Sequence, residues 1–409
     1  MSNAARHSDL ENGNSHRGSN QLGLKQYNER LVISLIQDAG ALSKAEIARI
    51  TKLSAQTVTI IVNRLIDEGY LMKKAVRRGK VGQPSTPIEL NPDGAITLGV
   101  KIGRRSMDLL VLAFNRQVVN RLTYTYDYPD PDAVFQLIPK AVEALKAGMT
   151  DRQRSRIVGI GVAAPTGIEG WEGIIGAPKG ALARWKGIDL RGRIEELTDL
   201  PTTLLNDATA ACLAEISLGT NSRFRTLLYF YVGTFVGGGL VLDGRLIEGR
   251  TGNAAAVGSV PLCVRNGNSD ASPLQLIEAA SLNQLEISAR KQRIGIEVFT
   301  LEDHSLDMEE TAVFEEWSDG AANAIAFAAV AGMSFVEAEA IVVDGGISRL
   351  LVARLAEKIR DQIETYNLEG LSPSAVTVGE IGQDARAMGG ALLPQHVNFS
   401  PDNNVLLKD

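Results

Sequence analysis

Between Ser43 and Tyr70 apolar residues recur at helical spacing in two short blocks. Ser43 precedes Glu46 by three positions, the arrangement of a capping box, and predicts a short helix that buries Ile47, Ile50 and Leu53. Ser54 then caps a second helix, in which Val58, Ile61, Val62, Leu65 and Ile66 fall at i, i+3, i+4, i+7 and i+8. Gly69 ends it. The opposite face carries Gln56, Thr59, Ile60 and Asn63, with Thr57 and Arg64 at its edges. Upstream, Lys25–Ala39 has an apolar face of Leu31, Val32, Leu35 and Ile36 and predicts a supporting helix. Downstream, two β-prone pieces flank Arg77, Arg78, Gly79, Lys80 and Gly82 and predict a hairpin. From Ala95 the pattern becomes extended: 95–103, 107–114 and 117–126 read as three strands, followed by a helix over 132–147 and strands over 156–165 and 201–207. A helix over 208–218 leads into a second extended block, 226–234 and 236–246. A buried strand at 340–347, a late one at 374–380 and a closing helix at 385–393 complete the pattern.

Two short helices joined by a tight turn, the second with small polar residues outward, predict a helix-turn-helix whose second helix enters the major groove of double-stranded DNA. Gln56 and Asn63 have the amide geometry that reads adenine, and Thr59 or Ile60 can touch a thymine methyl. Ser54, Thr57 and Arg64 complete the DNA-facing set on this helix. The hairpin reads as a wing that brings Arg77, Arg78, Lys80 and Gln83 to the backbone or minor groove. One recognition helix covers only a half-site, so the expected operator is an inverted repeat and the expected reader a homodimer, or a tetramer of paired dimers.

The chain of 409 residues has room for two or three domains. Its net charge of −6 hides an asymmetry. Residues 24–90 hold eleven basic and six acidic side chains, whereas 91–409 carries −11. A basic head on an acidic body suits a DNA reader attached to a domain that does not bind DNA. Only two cysteines occur, which argues against a disulfide framework and for a reducing cytoplasm. No apolar run reaches the roughly 18–20 residues of a membrane span. Residues 1–23 are polar and read as a disordered arm.

Three antiparallel strands followed by helix–strand alternation, done twice, resemble the duplicated fold shared by sugar kinases, actin and Hsp70. Within that group, L-L-N-D-A-T-A-A, V-G-T-F-V-G-G-G-L-V-L-D-G-R-L, G-R-T-G-N-A-A-A-V-G-S and V-V-D-G-G-I-S resemble the ROK family of repressors, open reading frames and kinases. With a winged helix in front, the chain is similar to the repressor branch. The resemblance implies an α/β fold: a winged helix-turn-helix over 24–90, then a two-lobed, ribonuclease H-like body. Its first lobe spans 91–205 and is completed by a helix at 385–395; its second spans 206–384, and 396–409 is a tail.

The resemblance also implies site residues. Asn206 and Asp207 stand where family members hold sugar hydroxyls, and in the kinases that Asp is the general base; read from the sequence alone, Asp207 equally caps the following helix. Ala256 and Ser259 replace the family's sugar-binding Glu and its sugar- and zinc-contacting His. Glu278 falls where another sugar-contacting Glu is found, and Lys179 replaces an Asn of the cleft loops. The family's cysteine cluster is absent, leaving Cys263 alone in the region, so no metal is expected. Lys101 takes the place of the Asp in the kinase phosphate hairpin, and Arg104 and Arg105 stand where the backbone would approach phosphates. In the wing Gln83 replaces the Arg of a G-R-P motif, which weakens minor-groove insertion there. The expectation is a carbohydrate-gene repressor with no catalytic residue and no cofactor, controlled by a sugar or sugar-derived effector between the lobes. Two alternatives stand beside it: a ligand-independent regulator with the body as dimerisation scaffold, and an active ATP-dependent sugar kinase.

Overall fold

The computed structural model describes residues 21–74, 86–262 and 274–402. The head consists of α1 (Gln21–Ala39), α2 (Lys44–Thr51), α3 (Ala55–Asp67) and the antiparallel pair β1 (Leu71–Lys73) and β2 (Ile88–Leu90). The capping box forms, with the Ser43 N–H donating to the Glu46 carboxylate at 2.8 Å. Ser54 Oγ accepts the Thr57 N–H at 3.0 Å and starts α3. Val32, Ile36, Ile47, Val58 and Val62 are fully buried in the head core.

Two expectations are corrected here. Helix α1 already includes 21–23 of the expected arm, and Gly23 is one of its buried packing residues. Ile50 does not face inward but is 43% exposed. Helix α2 ends at Thr51 and Lys52 turns left-handed at φ 60°, so the last turn sits at the rim of the core.

The first lobe contains β3 (Ile96–Ile102), β4 (Ser106–Leu112), β5 (Val118–Thr125), α4 (Pro131–Ala147), β6 (Ile157–Ala164), α5 (Leu190–Thr198) and β7 (Thr202–Asn206). Helix α6 (Asp207–Leu218) leads to the second lobe. There follow β8 (Leu227–Val232), β9 (Val236–Leu242), β10 (Arg245–Leu246), α7 (Leu276–Ala280), α8 (Leu282–Lys291), α9 (Met308–Met333), β11 (Ala340–Gly345), α10 (Arg349–Glu364) and β12 (Ala375–Val378). The sheets run β5-β4-β3-β6-β7 and β10-β9-β8-β11-β12, the same order twice. In each, the first three strands are antiparallel and the last two are parallel to the first. Strands β8 and β11 are buried along their whole length, as covered central strands require.

The closing helix, α11, runs Ala385–Phe399, so 396–399 of the expected tail are helical. The helix read from the pattern stops at Leu393, but the observed one continues through Pro394. Pro394 has no N–H for the Gly390 carbonyl, and that carbonyl packs against Gly161 of β6, where a Cβ would lie 1.9 Å away. Helix α11 crosses α6 equally closely: a Cβ on Gly389 would meet the Ala210 carbonyl oxygen at 1.7 Å. The two helices and both sheets share one core rich in alanine.

The far end of α11 joins the head. Phe399 packs with Phe114 and Tyr70, with ring centroids 4.7 and 5.5 Å away, and the head core continues through Ala95, Phe114 and Phe399. Asn91 Nδ2 donates to the Gly69 carbonyl at 2.7 Å, Arg156 donates to the Glu68 carbonyl at 2.8 Å, and Arg116 bridges the Ser217 carbonyl and Asp38.

Candidate functional site

On the head, α3 presents Gln56, Thr59, Ile60 and Asn63 to solvent. Ile60 is 61% exposed, an apolar side chain held open on a polar face. The Thr59 hydroxyl donates to the Ala55 carbonyl at 2.8 Å, which leaves its methyl free for contact. Ser54 and Thr57 bond to each other at the start of the helix and Lys44 donates to Asn63 Oδ1 at 2.7 Å. Lys44 was not picked out by the sequence pattern, since it belongs to the other helix. Arg64 departs from its expected role: Glu29 and Glu68 hold its guanidinium against α1 and α3. Arg77, Arg78, Lys80 and Gln83 lie outside the described residues, as does Cys263.

The cleft between the lobes narrows to a cavity of about 130 Å³. Asn206, Asp207, Ala256 and Ser259 line it together. Asn206 ends β7 and caps α6, its Oδ1 accepting the Ala208 N–H at 3.0 Å. Asp207 follows at the cleft and accepts from Arg386 Nη1 at 3.2 Å. Arg386 stands in the first turn of α11, its guanidinium 5.0 Å from the Tyr231 ring centroid. Trp171 of the first lobe and Phe235 of the second meet across the cavity at 5.0 Å between ring centroids.

Two expected residues are elsewhere. Lys179 is exposed and lies outside this lining. Its loop is tied down by Glu172, which accepts N–H groups from Gly180, Leu182 and Ala183 at 2.8–3.0 Å. Those bonds, and the Lys179 charge after them, hold the Glu172 carboxyl below its usual range. Glu278 is exposed and closes a capping box on Gln275 at the start of α7. A family position on a helix terminus there serves the helix, not the cavity.

A second cavity of about 370 Å³ adjoins the first and shares Arg104, Thr234 and Arg386 with it. Lys101, Arg104, Arg105, Arg290 and Arg386 line it, against Glu286 and Glu297. Lys101 is buried, which lowers its pKa, and it donates to Asp108 at 2.9 Å and Ser106 at 3.0 Å. Arg104 crosses from the first lobe to Glu286 of the second at 2.8 Å. Asp344 of the D-G-G turn is wholly buried and accepts from Tyr229, Arg349 and the Gly345 and Gly382 N–H groups. The V-G-G-G glycines let β9 approach α6: Cβ atoms on Gly237 and Gly239 would lie 2.6 Å from Ala208 and 2.4 Å from Cys212. Both motifs therefore serve packing here.

A winged helix-turn-helix fused to two ribonuclease H-like lobes with a polar cleft defines a DNA-reading head on a sugar-kinase-type body. Profile comparison agrees, with a winged helix-turn-helix DNA-binding profile over residues 26–72 and the ROK family profile over 97–397. The chain belongs to the ROK family. It is 29% identical over 241 residues to the xylose repressor of Caldicellulosiruptor bescii, a match covering 58% of each chain and so less than two thirds of that repressor's length. It is 25% identical to the glucokinase of Halalkalibacterium halodurans, over 75% of this chain and 97% of that one. Among solved structures, a ROK family transcriptional regulator homologous to the E. coli MLC protein superposes with a TM-score of 0.67 at 19% identity, over 94% of this chain and 98% of the other. At that identity the likeness establishes the fold. Among the described residues no helix is long and apolar enough to cross a membrane.

Proposed function

We propose that the protein is a DNA-binding transcriptional repressor of carbohydrate-related genes, controlled by a sugar-derived effector held between the lobes. The observation that carries this reading is α11. Its first turn places Arg386 in the cleft, and its last residue, Phe399, is packed into the head core. A helix of 15 residues spans about 20 Å at 1.5 Å per residue. Lobe movement around an effector thereby moves the base on which the head sits. Control requires the effector to prefer one lobe arrangement, since only differential affinity shifts an equilibrium. The xylose repressors among the relatives support the repressor reading. Two heads on a homodimer, or on a tetramer, would read the two halves of an inverted repeat. Such a protein works in the cytoplasm, beside its DNA.

The body in this reading is not an enzyme. Asp207 is paired with Arg386 and so is not a free base, and Lys101 stands where the kinases place a metal-organising carboxylate. A coupled ADP-release assay with a panel of sugars tests this, and turnover above background would overturn it. For the regulator itself, a gel-shift titration on the chain's own upstream DNA should show a specific complex that a sugar-derived compound weakens. The polar cavity between the lobes and the Trp171–Phe235 contact beside it favour an effector over a body that serves only as a scaffold.

A further inference from the structure

The Arg104–Glu286 ion pair joins the lobes beside the larger cavity, with both side chains buried, 8% and 11% exposed. Each end is anchored. The hairpin that carries Arg104 is tied to the first lobe: Tyr126 Oη donates to the Gly103 carbonyl at 2.7 Å, and the Tyr126 N–H to the Arg105 carbonyl at 3.0 Å. Helix α8, which carries Glu286, is tied to the second lobe by the Leu282 N–H, which donates to the Gly233 carbonyl at 2.9 Å. Tension on the pair therefore passes to the lobes and not to a loose loop. The charges around it are unequal. Arg290, one turn along α8, donates to Glu286 Oε1 at 2.6 Å, and Arg105 stands 3.9 Å from the same oxygen. Lys101 and Arg386 nearby have carboxylates of their own, Asp108 and Asp207. Glu297 of the same cavity is exposed and pairs with none of the three arginines among the described residues. One carboxylate thus serves three guanidinium groups, two from the first lobe and one from the second. Without it, like charges confront each other across the cleft.

We propose that Glu286 is a charge clasp that holds the two lobes together, and that its release is the movement passed to the head. The second half rests on the effector-controlled reading above and names the regulation of that cleft. The test compares variants of the full chain by small-angle X-ray scattering and by acrylamide quenching of Trp171, whose ring meets Phe235 of the other lobe. Subtracting the matching Trp171→Phe background isolates that signal. Glu286→Gln should enlarge the radius of gyration and raise the quenching, since guanidinium groups left without a carboxylate regain water when the cleft opens. Arg104→Gln should open it less, because Arg290 still neutralises Glu286. Adding Arg290→Glu to Glu286→Gln returns a carboxylate to α8 one turn along and should reclose the cleft, a rescue that a purely structural role would not give. If Glu286→Gln fails to fold, Arg104→Gln carries the comparison with wild type, since it leaves no carboxylate unpaired. Gel-shift titration of the open variants should find DNA affinity changed by about tenfold or more. Folded variants that scatter and quench like wild type, a larger opening in Arg104→Gln than in Glu286→Gln, or no reclosure when the carboxylate is moved overturns the clasp. An open cleft with unchanged DNA affinity leaves the clasp standing and overturns the effector-controlled reading instead, because lobe movement then fails to reach the head.

Discussion

Phe399→Ala should uncouple the head from the body. Phe399 is the last residue of α11 and is 8% exposed, with ring centroids 4.7 Å from Phe114 and 5.5 Å from Tyr70. Truncating a packed phenylalanine costs about 3–5 kcal/mol, and aromatic pairing adds about 0.5–1.5 kcal/mol beyond the buried area. A helix end can partly collapse into the gap, so we expect about 3 kcal/mol, at the low end of that range. The polar bonds of Asn91, Arg116 and Arg156 persist, so the head stays placed but opens more readily. All three tryptophans, Trp171, Trp185 and Trp317, lie in the body, so tryptophan fluorescence follows body unfolding alone. Amide exchange at Ile61 and Val62 of α3 follows the head. The variant should raise their exchange by roughly 100-fold while the fluorescence transition moves little. Tyr70→Ala should have a similar effect, and the double variant should be less than additive, because the rings share one contact. An exchange increase below about fivefold, less than about 1 kcal/mol, or equal loss of stability in head and body, would refute the idea that this cluster is the latch.

Gln56→Ala should lower specific DNA affinity by about 1–3 kcal/mol and leave the salt slope unchanged, whereas Arg77→Gln should reduce that slope by about one; titration at several salt concentrations separates them. Gly389→Ala should destabilise the body by about 3 kcal/mol or more, read from the denaturant midpoint, because its Cβ would overlap the Ala210 carbonyl. Burial, with the Arg116 charge adding to it, lowers the His396 pKa to about 4. The unfolded chain then takes up a proton near pH 6.5 that the folded chain refuses, so this stability is complete above about pH 6.5 and is lost as pH falls towards 4. His396→Gln should flatten the dependence of Tm on pH in that window; an unchanged slope would contradict it.

The fold was legible wherever the side-chain period was clean. The strands from Ile96 to Thr125, the V-G-G-G strand and the paired helices of the head stand where their patterns place them. Boundaries slipped where one residue sent a misleading local signal. The patterned helices began at Lys25 and stopped at Leu393, leaving out Gly23 and Pro394, yet both residues sit in helices whose tertiary packing absorbs them. In the site, Asn206, Asp207, Ala256 and Ser259 gather round one cavity, while Lys179, Glu278 and Arg64 turn to loop, cap and ion pair. Those three are long charged side chains, whose direction depends on partners that sequence spacing does not reveal. Arg386 was missed, although a signal existed: an arginine within A-R-A-M-G-G-A-L-L, an apolar helix of small residues, needs a buried partner. Trp171 and Phe235 were missed because their contact joins two lobes through residues far apart in the chain.

Binding of the full chain to its own upstream DNA, titrated with neutral sugars, sugar acids and sugar phosphates, tests the central claim most directly. The account predicts a specific complex whose affinity one sugar-derived compound of the panel changes by about tenfold or more, a coupling of about 1.4 kcal/mol. A specific complex that no compound in the panel moves would contradict it, and would leave the two lobes as a scaffold for the DNA-reading head.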